Sequence, residues 1–414
     1  MTCNAALVPQ KTMVCAAGND TQNGCKCGLW QHALPGPEAD AAANVIEHTE
    51  LLLGMAQAGK GAIGVGSTSP VGGAKSGWIT RINASGQSLH TSLVPPPNGE
   101  PLGKNYQLAR VTPVQAGWLA VGSGGEPVAG WLARIAGDSK DAEGHVVNTI
   151  VWQKRVLPVA SNSGEFRDIA AITDGTALAV GSTKSTQGNT ATWLVRVALS
   201  GDILGQSALD LPASQAPELF AVVAATDGWI VAGHANSAAG SAIFAKLSVT
   251  GATVWQKALN PKLGAGAAFG LATNGKAFCG FGSQSGSGTS AGWILVFDAD
   301  GKVSAEAGID FAGMNAMHFN SGAWVGDGWI AAGNATTNTG VIEAFAAKYS
   351  VDGKNIWGEG QTAASDLTAI VKTSDATIIG GSHLLAAWAA RFVNRVAECV
   401  RPFGAPETQC ALIP

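Results

Sequence analysis

Three histidines are side chains that a purely structural repeat would not need. His234 ends the phrase Val231-Ala232-Gly233-His234, and His383 follows Ile379-Gly380-Gly381-Ser382. His318 lies near the start of another apolar run. Neutral imidazoles ligate transition metals or take protons near neutral pH, so three at one rim would make a metal centre or supply a general base. Against this, their repeats are not all adjacent and no carboxylate accompanies them at a telling spacing. The sequence therefore predicts no metal and no cofactor, with His234, His318 and His383 as the residues to watch. Asp168, His318 and Asp366 stand at the starts of apolar runs; if the fold makes them converge, they favour an enzyme.

Other chemistry is sparse. Asp298-Ala299-Asp300-Gly301 shares a fragment of a calcium loop but lacks the remaining ligands of the twelve-residue pattern, and Asp-Gly is a common hairpin turn. No Gly-x-Ser-x-Gly elbow, phosphate-binding loop or His-Glu-x-x-His helix occurs. Asn19, Asn83 and Asn334 open glycosylation-type triplets, which are frequent by chance.

The cysteines carry more. Cys3, Cys15, Cys25, Cys27, Cys399 and Cys410 crowd the two ends, and only Cys279 sits in the body, within Ala277-Phe278-Cys279-Gly280-Phe281. That distribution predicts three disulfides and one inert core thiol, hence an oxidising, extracytoplasmic setting: secreted, periplasmic or cell-surface. Cys25-x-Cys27 lacks the two-residue spacing of most zinc sites. Six cysteines allow 15 connectivities, so the pairing stays open. The start, Met1-Thr2-Cys3, has no basic segment followed by an apolar one, so an exported chain would begin after a removed signal.

Only 13% of the 414 residues are charged and 46% are apolar, a balance that suits many short buried strands joined by glycine turns. Net charge is −4 with no basic block, which excludes the electrostatic footprint of a nucleic-acid binder. No apolar run is long enough to span a membrane.

These residues are positioned by a repeat. An apolar run closing on Gly recurs at Gly66, Gly122, Gly181, Gly233, Gly282, Gly333 and Gly381, about 50 residues apart. A second phrase follows a polar loop: an aromatic or apolar residue, two apolar residues and a base. It reads Trp78 to Arg81, Trp131 to Arg134, Trp193 to Arg196 and Trp388 to Arg391, with looser copies ending at Lys246 and Lys348. A glycine turn leads to a third phrase, Val151-Trp152-Gln153-Lys154 and Val254-Trp255-Gln256-Lys257, with Trp357 in the same place. Each repeat is thus four strands, A to D, apolar on both faces and in need of cover on both sides. The basic column and the regularly placed tryptophans read as architecture rather than as a cation ring or a sugar-stacking surface.

The fold class expected is all-β: a seven-bladed β-propeller of four-stranded antiparallel blades. The seventh repeat lacks its Trp-Gln phrase, and Leu29-Trp30-Gln31-His32-Ala33-Leu34 supplies one. Residues 28–34 should be strand D of blade 7, closing the ring. The expected layout is a Cys-rich segment 1–27, a propeller 28–398 and a tail 399–414 tied to the N-terminus. Bridges across so long a loop stabilise by up to about 4–5 kcal/mol each in the chain-entropy model.

The turn-plus-Trp element, as in Thr250-Gly251-Ala252-Thr253-Val254-Trp255, resembles the quinoprotein-like propeller family and related Trp-bearing repeats of bacterial envelope proteins, over roughly residues 28–393. The resemblance implies the fold and an extracytoplasmic place. It does not carry dehydrogenase activity: no two cysteines are adjacent, and the family's calcium ligands have no counterpart.

Function follows as an expectation of class: a non-enzymatic, disulfide-stabilised binding or interaction scaffold. The alternatives are a hydrolase, lyase or oxidoreductase with its site at the axial mouth, or a carbohydrate-binding lectin. The partner is a protein, small molecule or glycan. Binding loops are sought where the repeat is irregular: Pro95 to Pro101, Gly137 to Val146 and Gly313 to Gly326.

Overall fold

The computed structural model describes residues 30–33, 48–393, 399–400 and 411–412, except for 71–72, 85–86, 98–99, 101–103, 138, 160, 212–215, 236–239, 260, 262–263, 286–289, 310–313, 362–364, 374–375 and 384–385. Within these residues the chain is all-β and built of four-stranded antiparallel sheets. Repeat 1 sets the pattern: His48–Ala58, Gly61–Pro70, Ser76–Ile82 and Ser88–Val94 pair in chain order. Repeats 5 and 6 run into one eight-stranded sheet through a single parallel bridge, Ser290 to Ala316. In repeat 7, Ser365–Lys372, Ala376–His383 and Ala386–Val393 are joined by Trp30–Ala33, which pairs antiparallel with the last of them, Trp30 opposite Arg391 and Ala33 opposite Trp388. The six terminal cysteines' side chains lie outside the described residues. Cys279 is buried and free.

Gly313 to Gly326, expected as an irregular loop, is mostly the strand Met314–Trp324. Two bulges along it scramble the alternation by which a strand is read from sequence.

The closing glycines have a steric cause. In every repeat that glycine faces strand A at the residue before a bulge. A Cβ added to Gly66, Gly181, Gly233 or Gly381 would stand 1.8, 1.9, 1.9 or 1.8 Å from the carbonyl oxygen of Leu51, Glu165, Glu218 or Asp366. The other three meet the same obstacle at Gln107, Ala267 and His318. Backbone packs against backbone here, and no side chain fits between.

The core is distributed between sheets rather than gathered in one place. Leu119, Val121 and Leu132 of repeat 2 pack on Phe166, Ile169 and Val195 of repeat 3; Ile230 and Phe244 of repeat 4 pack on Phe278 and Trp293 of repeat 5. Leu52, Met55 and Trp78 of repeat 1 pack on Ala369, Ile378 and Ala389 of repeat 7. Each large side chain so buried contributes about 1.5–3 kcal/mol. The A strands stand side by side, each against that of the next repeat, and Ser365–Lys372 against His48–Ala58.

The recurring polar residues tie the sheets together. Trp152 donates to Leu199 O at 3.0 Å and Lys154 to Gly201 O at 2.7 Å; Trp255 and Lys257 make the same pair of contacts with Ala299 O and Asp300 O at 3.0 and 2.8 Å. These bonds join strand D to the C–D turn of the following sheet. The glutamine between them points the other way: Gln153 and Gln256, with Gln206 at the same position of repeat 3, donate to Pro96 O, Asp210 O and Leu157 O of the preceding repeat. In the basic column, Arg81 and Arg196 reach the next sheet's carbonyls, whereas Lys246 and Lys348 pair with Asp227 and Asp327 in their own sheets at 2.9 Å. The architectural reading of the Trp-Gln-Lys and basic columns describes what these side chains do.

Candidate functional site

Each A strand carries one bulge at the same level. The bulged residues are Leu53, Ala109, Arg167, Phe220, Phe269, Asn320 and Thr368. A bulge takes peptide groups out of the ladder and re-aims a side chain. Polar side chains of neighbouring A strands satisfy several of the freed groups. Arg110 donates to Leu53 O, and Thr368 Oγ1 donates to Leu52 O. Asp168 accepts from Val222 N at 2.8 Å and from Ile169 N at 2.8 Å. Asn320 Nδ2 donates to Leu367 O at 2.9 Å.

Burial pushes the Asp168 carboxyl up to about 6, against the pull of Arg110 and of its two amide donors. Burial also lowers Arg110, while Asp168 and Asp366 favour its charge and Arg167 opposes it.

On these bulges the repeats stop being alike. Arg167, bonded to Glu165 at 2.5 Å, lies 5.8 Å over the Phe220 ring. Phe220 stacks on His234 at 5.3 Å between centroids and meets Phe269 edge-on at 5.3 Å. Phe269 meets His318 at 5.9 Å. Beyond His318, Asp366 Oδ1 accepts from Asn320 Nδ2 and Asn334 Nδ2, each at 2.8 Å. A belt of half-buried aromatic and polar side chains thus runs from repeat 3 to repeat 7, with the Glu165–Arg167 pair at one end and the Asp366 carboxylate at the other. Burial holds His318 below the usual imidazole range, and Asp366 partly offsets it, so the ring is neutral near pH 7.

The residues singled out from sequence are placed as follows. His318 and Asp366 come together, although they belong to different repeats. Asp168 lies with Arg110 on the A strands of repeats 2 and 3, where its oxygens are occupied by backbone amides. His234 and His318 join the same belt but stand apart, with two phenyl rings between them, so they do not converge on one point. The backbone of His383 lies opposite Ser365, beside the Asp366–Ser382 pair; its side chain lies outside the described residues. Asp298 accepts from the amides of Asp300 and Lys302 at 3.0 and 2.9 Å, which makes that stretch a hairpin turn. Among the described residues, Asp141, Glu143 and His145 bring ligand atoms together on an exposed loop, where Asp141 orders the backbone.

Arg167, Phe220, Phe269 and Asn320 were not legible as site residues. Their signal is positional: each falls at nearly the same distance ahead of its closing glycine, in a column where chemistry changes from repeat to repeat while the residue just before it is always apolar.

These sheets and their inner bulges define a repeat protein of the β-propeller type, and comparison with solved structures supports that class. Raptor from Chaetomium thermophilum is similar with a TM-score of 0.50 and 10% identity, over 84% of this chain; the chain spans 29% of that protein's length. Sqt1 of the same fungus (TM-score 0.48, 10% identity, 84% of this chain and 96% of that one) and a Trypanosoma rangeli sialidase (0.48, 9%, 89% and 59%) also match. At such identities the likeness is one of fold alone. No family profile and no curated protein sequence matches the chain. Among the described residues, no helix is long and apolar enough to cross a membrane.

Proposed function

We propose that the chain is a seven-bladed propeller closed by its Trp30 strand, exported and locked by disulfides among Cys3, Cys15, Cys25, Cys27, Cys399 and Cys410. It acts as a non-enzymatic binding protein whose ligand seats on the belt from Arg167 to Asp366. One observation carries this reading: the Trp-Gln-Lys column is spent on joining sheets, whereas the bulges and the residues beside them collect aromatic, cationic and anionic side chains that the repeat does not require. A row of aromatic rings between opposite charges suits a polar organic ligand or a peptide segment.

The test is binding to peptide and glycan arrays by the whole protein and by a Phe220→Ala/Phe269→Ala variant. The expected result is one ligand class retained by the parent and lost by the variant, with the far-ultraviolet dichroism unchanged. Binding indifferent to the two substitutions would remove the belt as the site. Selection of glycans would move the reading to a lectin.

An enzymatic reading draws on Asp168, whose pKa of about 6 suits a general base. Its oxygens are engaged by Val222 and Ile169, so the binding reading stands first. Consumption of the selected ligand by the parent protein would reverse that order.

A further inference from the structure

Asp366 is a charged residue of the belt whose bonded partners are neutral. Its Oδ1 accepts from Asn320 Nδ2 and Asn334 Nδ2, each at 2.8 Å, which engages both lone pairs of that oxygen. Asp366 makes no ion pair among the described residues. The nearby cations are engaged elsewhere: Arg167 with Glu165 at 2.5 Å, and Arg110 with Leu53 O and, at 3.1 Å, with Ala109 O. Arg110 feels the Asp366 charge but is not bonded to it.

The same bonds decide what the two asparagines still offer. A carboxylate accepts and does not donate, so both amide nitrogens must face it. Asn320 Nδ2 also donates to Leu367 O at 2.9 Å, which uses its second hydrogen. Left over are Asp366 Oδ2 and the amide oxygens of Asn320 and Asn334, three acceptors set against one remaining N–H on Asn334. No described residue donates to any of the three oxygens. Asp366 and Asn320 are half-buried, and Asn334 stands opposite His318 in its ladder. The His318 ring in turn meets Phe269 edge-on at 5.9 Å, so apolar surface adjoins the acceptors.

We propose that this end of the belt binds a primary ammonium group on an aliphatic stem. The ammonium donates to Asp366 Oδ2 and to the Asn320 and Asn334 amide oxygens, and the stem lies against the His318 and Phe269 rings. This assignment rests on the belt being the binding site and names what seats there. A guanidinium would take both carboxylate oxygens in its fork, and Oδ1 is already full. A quaternary ammonium would suit the rings but bring no N–H to the acceptors. An anion would meet cations that are already bonded and a carboxylate that repels it. His318, held neutral by burial, does not oppose the incoming charge.

The probes are pentylammonium, N-pentylacetamide, which lacks the charge, and pentyltrimethylammonium, which keeps the charge without N–H donors. Each is titrated on the full chain by ligand-observed nuclear magnetic resonance. Pentylammonium should bind at least about tenfold tighter than the acetamide and about threefold tighter than the trimethyl compound. Asp366→Asn should weaken pentylammonium by about tenfold or more and leave the acetamide unaffected. Phe269→Ala should weaken both through the stem. The comparison of probes on the parent needs no variant, so it stands even where Asp366→Asn fails to fold. A free amine and a lysine side chain share this chemistry. Tighter binding of a capped Gly-Lys-Gly peptide than of pentylammonium assigns the group to a protein partner, and weaker binding to a free amine. Equal binding of pentylammonium and the acetamide, pentylammonium affinity indifferent to Asp366→Asn, or no pentylammonium binding at millimolar concentration would each overturn the proposal. An array ligand that needs Phe220 and Phe269 but carries no amine would overturn it too and leave the belt standing. An array ligand indifferent to both rings would remove the belt and this assignment together.

Discussion

Trp193 Nε1 donates to Gln206 Oε1 at 3.1 Å, and the same side-chain amide donates onward to Leu157 O at 3.2 Å in the preceding sheet. Trp131, Gln153 and Pro96 repeat the relay one sheet earlier at 3.2 and 3.2 Å. One glutamine therefore satisfies an indole within its sheet and a carbonyl outside it. Gln206→Leu fills the same space and strands both partners. It should lower unfolding free energy by about 1–3 kcal/mol, measured by denaturant titration. A change within error would show that water replaces the relay.

Gly233→Ala should be among the most damaging small substitutions. Its Cβ would lie 1.9 Å from Glu218 O, and the obstacle is backbone, which cannot turn aside as a side chain could. A loss of about 3 kcal/mol or more is expected. Gly205→Ala is the control: nothing lies within 4 Å of its added Cβ, so stability should stay within about 0.5 kcal/mol of the parent.

The Asp168 carboxyl makes stability depend on pH in a defined direction. Its folded pKa, about 6, exceeds the ordinary 3.8, so the native state holds the proton more tightly than the unfolded one. The contribution is complete below pH 4 and is lost as pH rises through about 6. Asp168→Asn removes this term. The stability difference between parent and variant should therefore shift in the variant's favour by about 1–3 kcal/mol between pH 4 and pH 7.5. A difference flat across that window would mean the carboxyl is ionised throughout.

Removal of residues 1–34 deletes the strand that pairs with Ala386–Val393. The truncated chain should unfold at markedly lower denaturant than one trimmed only at residues 1–10. Equal midpoints would mean that the Trp30 strand adds nothing to its sheet. Alkylation without reduction, followed by mass spectrometry, checks the terminal cysteines: six unreactive thiols are expected, and six labelled ones would remove the argument for export.

Four-strand periodicity was readable because both faces of the B and C strands are covered, which leaves uninterrupted apolar runs between glycine turns. The pairing of Trp30–Ala33 with the last repeat was readable for the same reason: one phrase was missing at one end and present at the other. The site was not. Bulges insert one residue and flip the alternation, so Phe220 and Phe269 looked like ordinary strand residues. His318 and Asp366 meet only because successive A strands stand side by side, a relation no local spacing records.

Because strand D of repeat 2 and of repeat 4 bonds forward to one neighbour and backward to the other, the sheets of repeats 1 to 5 do not hold their contacts alone. Removing repeat 3 would strand the Trp152 indole, the Lys154 ammonium group and the Gln256 amide on the sheets either side of the gap. Such an array loses its parts together: heating should give one sharp transition rather than fraying from the ends, and proteases should find few partly opened forms to cut.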